Sequence, residues 1–247
     1  RVGIGVCFLG LGMSSTDERA GAPTFQRRLM FVGNSHTYQP KELGGVPQAV
    51  ARLTAALGCG QLDVFSVVQG GADLLDLREQ FETTLQAATV VWDTFVLQVG
   101  CGADPSNRAA IEHVLQEGYA PLLLQAAGPD VTVLLYQTWS GPRPLSTEAD
   151  QLRESAATYC AALREAGIGD VRVAPVGNAF LMLHTSTAFD RHIYPALWKD
   201  DMGHGSALAG TLVALVIVLA LGFGQTAGSR QHPLGRIVET MLPSAWR

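Results

Sequence analysis

Two short polar segments of the chain hold a serine, an acid and a histidine that together could perform nucleophilic catalysis. Ser35 follows an apolar run in the string LMFVGNSHTY, and Asp201 and His204 lie in the later string DDMGHGS. A serine nucleophile needs a base to take its proton and an acid to orient that base. The spacing of Asp201 and His204 lets one turn of chain place the carboxylate against Nδ1, with Nε2 facing outward. The pattern therefore predicts Ser35 as nucleophile, His204 as base and Asp201 as orienting acid.

The Asn34–Ser35 pair also has a simpler interpretation. Most Asn-Ser pairs in loops supply only turn and cap hydrogen bonds, and LMFVGNSHTY alone favours that role. The acid–histidine pair later in the chain shifts the balance toward catalysis. His36 is expected to direct its side chain away from Ser35. The remaining histidines are weaker candidates for the base. His113 lies in a helical pattern, His184 and His192 lack a comparable acid motif, and His232 lies in the tail.

The elements that must position these residues alternate regularly between strands and helices. Short apolar runs, mostly β-branched, predict parallel strands at Arg28–Gly33, Leu62–Val68, Thr94–Val99, Val131–Tyr136 and Val171–Val176. Helical periodicity marks Leu43–Leu57, Asp73–Ala88, Ser106–Ala127 with a kink or break at Pro121, and Thr147–Ala166. Such alternation predicts right-handed crossovers and a flavodoxin-like three-layer α/β/α fold with a five-stranded parallel sheet of order 2-1-3-4-5. Ser35 would then lie just beyond the carboxyl end of the first strand, where ligands bind in open α/β sheets.

Composition excludes several classes of function. The chain has 247 residues, of which 47% are hydrophobic and 16% charged, enough for one well-filled core. A net charge of -5, without a run of Lys or Arg, gives no electrostatic basis for binding nucleic acid. Phosphate-loop strings and the GxSxG elbow are absent from the sequence. The four cysteines, which form no metal-binding or redox motif, are Cys7, Cys59, Cys101 and Cys160.

The two ends of the chain fall outside the alternating pattern. We expect an N-terminal extension over 1–24, a hydrolase-like domain over 25–225 and a C-terminal extension over 226–247. Residues 2–13 fit either a targeting or anchor remnant, which would indicate a secreted or organellar protein, or an ordinary buried segment. The apolar run Ala207–Gly224 is predicted as a buried C-terminal helix rather than a membrane span, because it lacks flanking aromatic and basic anchors.

Three motifs in this order resemble the SGNH (GDSL-type) hydrolase superfamily. They are GNS at Gly33–Ser35, the glycine pair Gly70-Gly71 after the second strand, and DxxH at Asp201–His204 before a C-terminal helix. The resemblance spans about Leu29 to Gly224. The strings VGNSHTY, VLQ and APVGNAF look similar to a branch of that superfamily with GNSxTY and VLQ motifs.

The resemblance implies roles for further residues. The Ser35 and Gly71 amides match two oxyanion donors of the family. The third family donor, an Asn in a GxND string, is missing, since the chain reads LQVGCGAD and has Gly102 at that position. Gln98 is a substitute candidate for this third donor. Cys101 lies on the same segment and is expected to be a small structural cysteine rather than a nucleophile.

The resemblance implies a serine esterase that acts on a small-molecule or carbohydrate ester, such as an acetyl or short-chain ester, and that needs no metal or other cofactor. The alternative is a weak or inactive SGNH-like binding module or accessory subunit, with protein partners at the terminal extensions. The missing GxND string, with its third oxyanion donor, supports this alternative. Losing one oxyanion donor costs on the order of 10²–10³ in rate, so the intact Ser, His and Asp favour an enzyme. The two tryptophans Trp139 and Trp198 are expected to pack on the sheet rather than line a pocket.

Overall fold

A parallel sheet with helices on both faces forms the framework of the protein. The structure, a computed structural model, describes residues 27–99, 107–185, 193–199 and 203–223. The strands are β1 (Arg27–Gly33), β2 (Leu62–Val68), β3 (Thr94–Val99), β4 (Thr132–Gln137) and β5 (Asp170–Ala174). Their order in the sheet is β2-β1-β3-β4-β5, all parallel, which confirms the predicted topology.

The helices follow the strands in alternation. They are α1 (Ser35–Tyr38), α2 (Gly45–Ala56), α3 (Leu74–Ala87), α4 (Arg108–His113), α5 (Ala120–Ala127), α6 (Glu148–Glu165), α7 (Val176–Thr185), α8 (Ile193–Ala196) and α9 (Ala207–Ala220), with a 3₁₀ turn at Lys41–Leu43. A π-helical segment, Val114–Tyr119, joins α4 to α5. Pro121 has no N–H to donate to the carbonyl of Glu117. The π-helical segment lies directly before this proline, where a kink or break was predicted.

Two apolar clusters lie on opposite faces of the sheet and make the three layers. One face packs against α3, α5 and α6 through buried side chains such as Leu77, Leu123 and Leu163. The other face packs against α2, α7 and α9. The central strand β3 is buried along its whole length. This arrangement confirms the predicted α/β/α architecture and leaves the carboxyl ends of β1 and β3 side by side.

Helix α9 confirms the prediction of a buried C-terminal helix. Ser206 caps its N-terminus by accepting a hydrogen bond from the Ala209 amide, and the helix packs mainly against α2. Within the described ranges, no helix combines the length and apolar character needed to cross a bilayer. The predicted extensions 1–24 and 226–247 lie outside the described residues, and the division into these three segments stays a prediction.

The predicted end of the fifth strand is wrong. The fifth strand was expected to continue to Val176, but it ends at Ala174, and α7 begins at Val176. Pro175 cannot donate to a strand ladder, and it separates the two elements. Helix α7 then occupies the APVGNAF string, whose apolar residues Val176, Ala179 and Phe180 are buried.

Candidate active site

Ser35 lies at the carboxyl end of β1, where the strand gives way to the single turn of α1. Asn34 occupies the position before α1, and its side-chain oxygen accepts a hydrogen bond from the His36 amide. The cap role that a simple interpretation of the Asn-Ser pair predicts is therefore present. It belongs to Asn34, which is 6% exposed, whereas Ser35 is half-buried. The side chain of Asn34, and not that of Ser35, thus caps the turn.

A buried set of hydrogen bonds joins this turn to the end of β3. Oε1 of Gln98 accepts from the Asn34 amide at 3.0 Å and from Oγ1 of Thr37 at 2.6 Å. Nε2 of Gln98 donates to Oδ1 of Asn34 at 2.7 Å. Gln98 is 3% exposed and Thr37 1%. Both ends of the Gln98 amide are thus engaged, with Asn34 before Ser35 and with Thr37 two residues after it.

The same set of bonds reaches the loop after β2. Nδ2 of Asn34 donates to the carbonyl of Ala72 at 2.9 Å. Ala72 follows Gly71, the second predicted oxyanion donor, which is exposed and has a φ of +73°. Asn34 therefore ties the loop that carries Gly71 to the turn that carries Ser35.

The contacts of Gln98 favour a role other than the predicted third oxyanion donor. Its Nε2 is directed at Asn34, and its Oε1 is shared between two donors. A buried amide in such a network is costly to redirect, because each partner would be left unsatisfied. Gln98 is a long polar side chain inside the mostly apolar strand TFVLQV, and this was the sequence feature that indicated the network. It did not identify the partners of Gln98.

Gly33 is needed because the network approaches the backbone so closely. A Cβ at this position would meet Oγ1 of Thr37 and would lie 2.5 Å from Oε1 and 2.7 Å from Cβ of Gln98. Residues of other types would push the Gln98 side chain away from Asn34. The glycine of the GNS motif thus has a structural cause in the packing of β1 against β3.

We expect Gly33→Ala to lower the free energy of unfolding by about 1–3 kcal/mol, as overpacking of a filled interior does. Urea unfolding followed by circular dichroism measures this change. Gly169→Ala is the matched control, since the nearest atom to a Cβ there is the Pro129 carbonyl oxygen at 3.8 Å. Equal stabilities of the two variants would contradict the close approach at Gly33.

His204 is brought to the same end of the sheet. Its ring centroid lies 6.0 Å from that of His36, the residue next to Ser35. The ring of His36 also makes an edge contact with Trp139, with centroids 4.7 Å apart. His204 is half-buried and His36 is 8% exposed. The structure therefore brings the predicted base beside the turn of the predicted nucleophile, whereas Asp201 lies outside the described residues.

Hydrogen bonds to the backbone around His204 hold this segment in place. The His204 carbonyl accepts from the Lys199 amide at 2.9 Å, and the Ser206 amide donates to the Leu197 carbonyl at 2.8 Å. Nε1 of Trp139 donates to the Gly203 carbonyl at 2.8 Å. These bonds fix the chain on both sides of the histidine.

Helix α9 links His204 to the segment that follows Ser35. A Cβ at Gly210 would lie 2.5 Å from Cδ of Pro40, so only glycine lets the helix pack this closely. Because α9 begins just after His204 and Pro40 follows α1, this contact fixes the distance between the two predicted site segments. The close packing allowed by Gly210 thus helps to place the histidine.

Aromatic side chains form a wall beside the two histidines. Trp139 stacks on Phe180 with centroids 4.3 Å apart and is 3% exposed, so it is packed as predicted. It also lines a small cavity beside His36, which the prediction did not expect. Trp198 is half-buried and contacts the rings of Trp139 and Phe180. Tyr194 packs on Trp198, and its hydroxyl donates to the Pro142 carbonyl. Burial, with a smaller contribution from the charge of Glu148, raises the pKa of Tyr194 to about 12, so its hydroxyl stays protonated.

A buried carboxylate shapes the loop that carries Trp139. Glu148, 2% exposed, accepts hydrogen bonds from the backbone amides of Ser140 and Leu145 and from the Ser140 hydroxyl. Hydrogen bonds from three donors compensate a carboxylate for its lost hydration. The loop between β4 and α6 is therefore fixed on the side of the site.

Comparison with solved structures identifies the fold. No family model and no curated protein matches the sequence. Solved structures do match, among them a candidate SGNH hydrolase from Slackia heliotrinireducens, at 19% identity and a TM-score of 0.54 over 79% of this chain and 99% of that one. The chain has the fold of the SGNH hydrolases.

Two further structures with this fold are named for ester chemistry. A variant of Axe2, an acetyl xylan esterase from Geobacillus stearothermophilus, is 15% identical with a TM-score of 0.54, over 80% of this chain and 95% of that one. A lipase/acylhydrolase from Enterococcus faecalis is 17% identical with a TM-score of 0.54, over 78% and 94%. The resemblance seen in the motifs is thus confirmed at the level of the SGNH fold.

Proposed function

We propose that the protein is a serine ester hydrolase in which Ser35 is the nucleophile, His204 the base and Asp201 the acid that orients it. The observation that carries this proposal is the approach of the His204 ring to the turn of Ser35, from segments about 170 positions apart in the sequence. The SGNH fold and the esterase and acylhydrolase names of its structural neighbours support it.

The proposed reaction has two halves. Oγ of Ser35 attacks the ester carbonyl while His204 takes the hydroxyl proton, and the amides of Ser35 and Gly71 stabilise the oxyanion. The tetrahedral intermediate collapses, the C–O bond to the alcohol breaks, and His204 returns the proton to the leaving oxygen. Water, deprotonated by His204, then attacks the acyl-enzyme and releases the carboxylic acid with regeneration of Ser35. Substrates with an acetyl or other short acyl group are the ones we propose.

A second candidate function is a weak or non-catalytic binding module. The engagement of the Gln98 amide by Asn34 favours it, because the described residues then offer two backbone donors and leave the predicted third one occupied. An oxyanion hole short of one donor loses on the order of 10²–10³ in rate, which slows catalysis without abolishing it.

Hydrolysis of short p-nitrophenyl esters by the purified protein tests the proposal. A fluorophosphonate that reacts with activated serines, followed by peptide mass spectrometry, identifies the modified residue. Turnover together with modification of Ser35 is expected. Absence of both turnover and modification would leave the binding module as the function.

A further inference from the structure

We infer that Gln98 is a positioning residue, which acts through Asn34 to hold the nucleophile turn and the Gly71 loop in register. This inference rests on the proposed function. Gln98 on β3 would then orient its neighbours and would not itself donate to the oxyanion. The basis of this inference is the set of hydrogen bonds among Gln98, Asn34, Thr37 and the Ala72 carbonyl.

The geometry makes Asn34 the centre of this arrangement. Its backbone amide and Oδ1 both bond to Gln98, and its Nδ2 bonds to the Ala72 carbonyl. Its Oδ1 also accepts from the amide of His36. One side chain thus fixes the residues directly after Ser35 and the residue directly after Gly71.

Gln98 sets the orientation of Asn34. The amide of Asn34 could place its oxygen or its nitrogen toward Ala72, and only the nitrogen can donate to that carbonyl. Nε2 of Gln98, a donor, requires Oδ1 of Asn34 on its own side. The backbone N–H of Asn34 can only donate, so it in turn requires the Gln98 oxygen on its side. The Thr37 hydroxyl donates to the same oxygen. The chain Thr37–Gln98–Asn34–Ala72 therefore has one consistent set of donors and acceptors.

Misplacement of the Gly71 amide by a fraction of an ångström would weaken an oxyanion donor, whose effect depends on preorganised geometry. The binding of substrate in its ground state depends less on this donor. Loss of the Gln98 network should accordingly lower kcat and leave KM little changed.

A double-mutant cycle on ester hydrolysis tests the inference, with Gln98→Met, Asn34→Ala and the double variant. We expect kcat to fall roughly 10- to 100-fold in each single variant, with KM within about twofold. The double variant should be no slower than the slower single one, because residues that act through one another are not additive. Multiplied losses in the double variant would overturn the inference and favour direct donation by Gln98.

Thr37 supplies a second, milder test if the Gln98 variants do not fold. Thr37→Ser keeps the hydroxyl that donates to Gln98, whereas Thr37→Val removes it and keeps the shape. Reduced kcat in Thr37→Val with recovery in Thr37→Ser is expected, and equal kcat in the two would overturn the inference. Failure of the proposed function is distinguishable, since it would show already in the unsubstituted protein as absence of both turnover and fluorophosphonate labelling.

Discussion

Replacing Ser35 with alanine should lower ester turnover by roughly 10⁴- to 10⁶-fold and abolish fluorophosphonate labelling. The variant loses the only oxygen proposed to attack the carbonyl, but it keeps the backbone amide at position 35 and with it one proposed oxyanion donor. Steady-state kinetics on a p-nitrophenyl ester and mass spectrometry of the labelled protein measure the two losses. The fold should be retained, because the half-buried Ser35 side chain contributes little to the apolar core.

Ser66→Ala is the matched control for this experiment. Ser66 lies on the edge strand β2, pairs with Phe31 of β1 and is exposed, so its hydroxyl is reachable by a reagent but lies outside the proposed site. Turnover and labelling of this variant should equal those of the unsubstituted protein. Undiminished turnover in Ser35→Ala would reject Ser35 as the nucleophile.

The sheet could be predicted from the sequence because its strands carry their own signals. Runs such as TFVLQV are apolar and β-branched and end at Gly, Pro or Asp, and the predicted bounds of β2 and β3 agree with the structure. Helix α7 was missed because its first turn continues the apolar run of β5 beyond Pro175. Periodicity over so short a stretch does not separate a buried strand from a buried helix.

The candidate site was only partly predictable. Ser35 and His204 were found because a strand-end serine and an acid–histidine spacing are local features, and the strand order placed Gln98 beside Ser35. The direction of the Gln98 amide is not a local feature. It depends on the donors and acceptors that Asn34 and Thr37 present from the neighbouring strand's turn, which only the packed structure specifies.

His204→Ala should lower kcat/KM by roughly 10⁴- to 10⁶-fold, since Ser35 would lose the group proposed to take its proton. Asp201→Asn should cost on the order of 10⁴-fold, because an amide holds the imidazole in the wrong tautomer. Steady-state kinetics of ester hydrolysis by the two variants and by the unsubstituted protein measure both losses.

Substitution of two other histidines tests whether His204 is the base. His113, exposed on α4, is the neutral control, and His113→Ala should leave kcat/KM unchanged. His36 is the more demanding comparison, because its ring lies against both His204 and Trp139 and is buried. His36→Ala should mainly lower the free energy of unfolding, with a far smaller loss of kcat/KM than His204→Ala, because truncating a buried side chain leaves a cavity. A folded His36→Ala without activity, beside an active His204→Ala, would transfer the role of base to His36 and refute the pairing of His204 with Asp201.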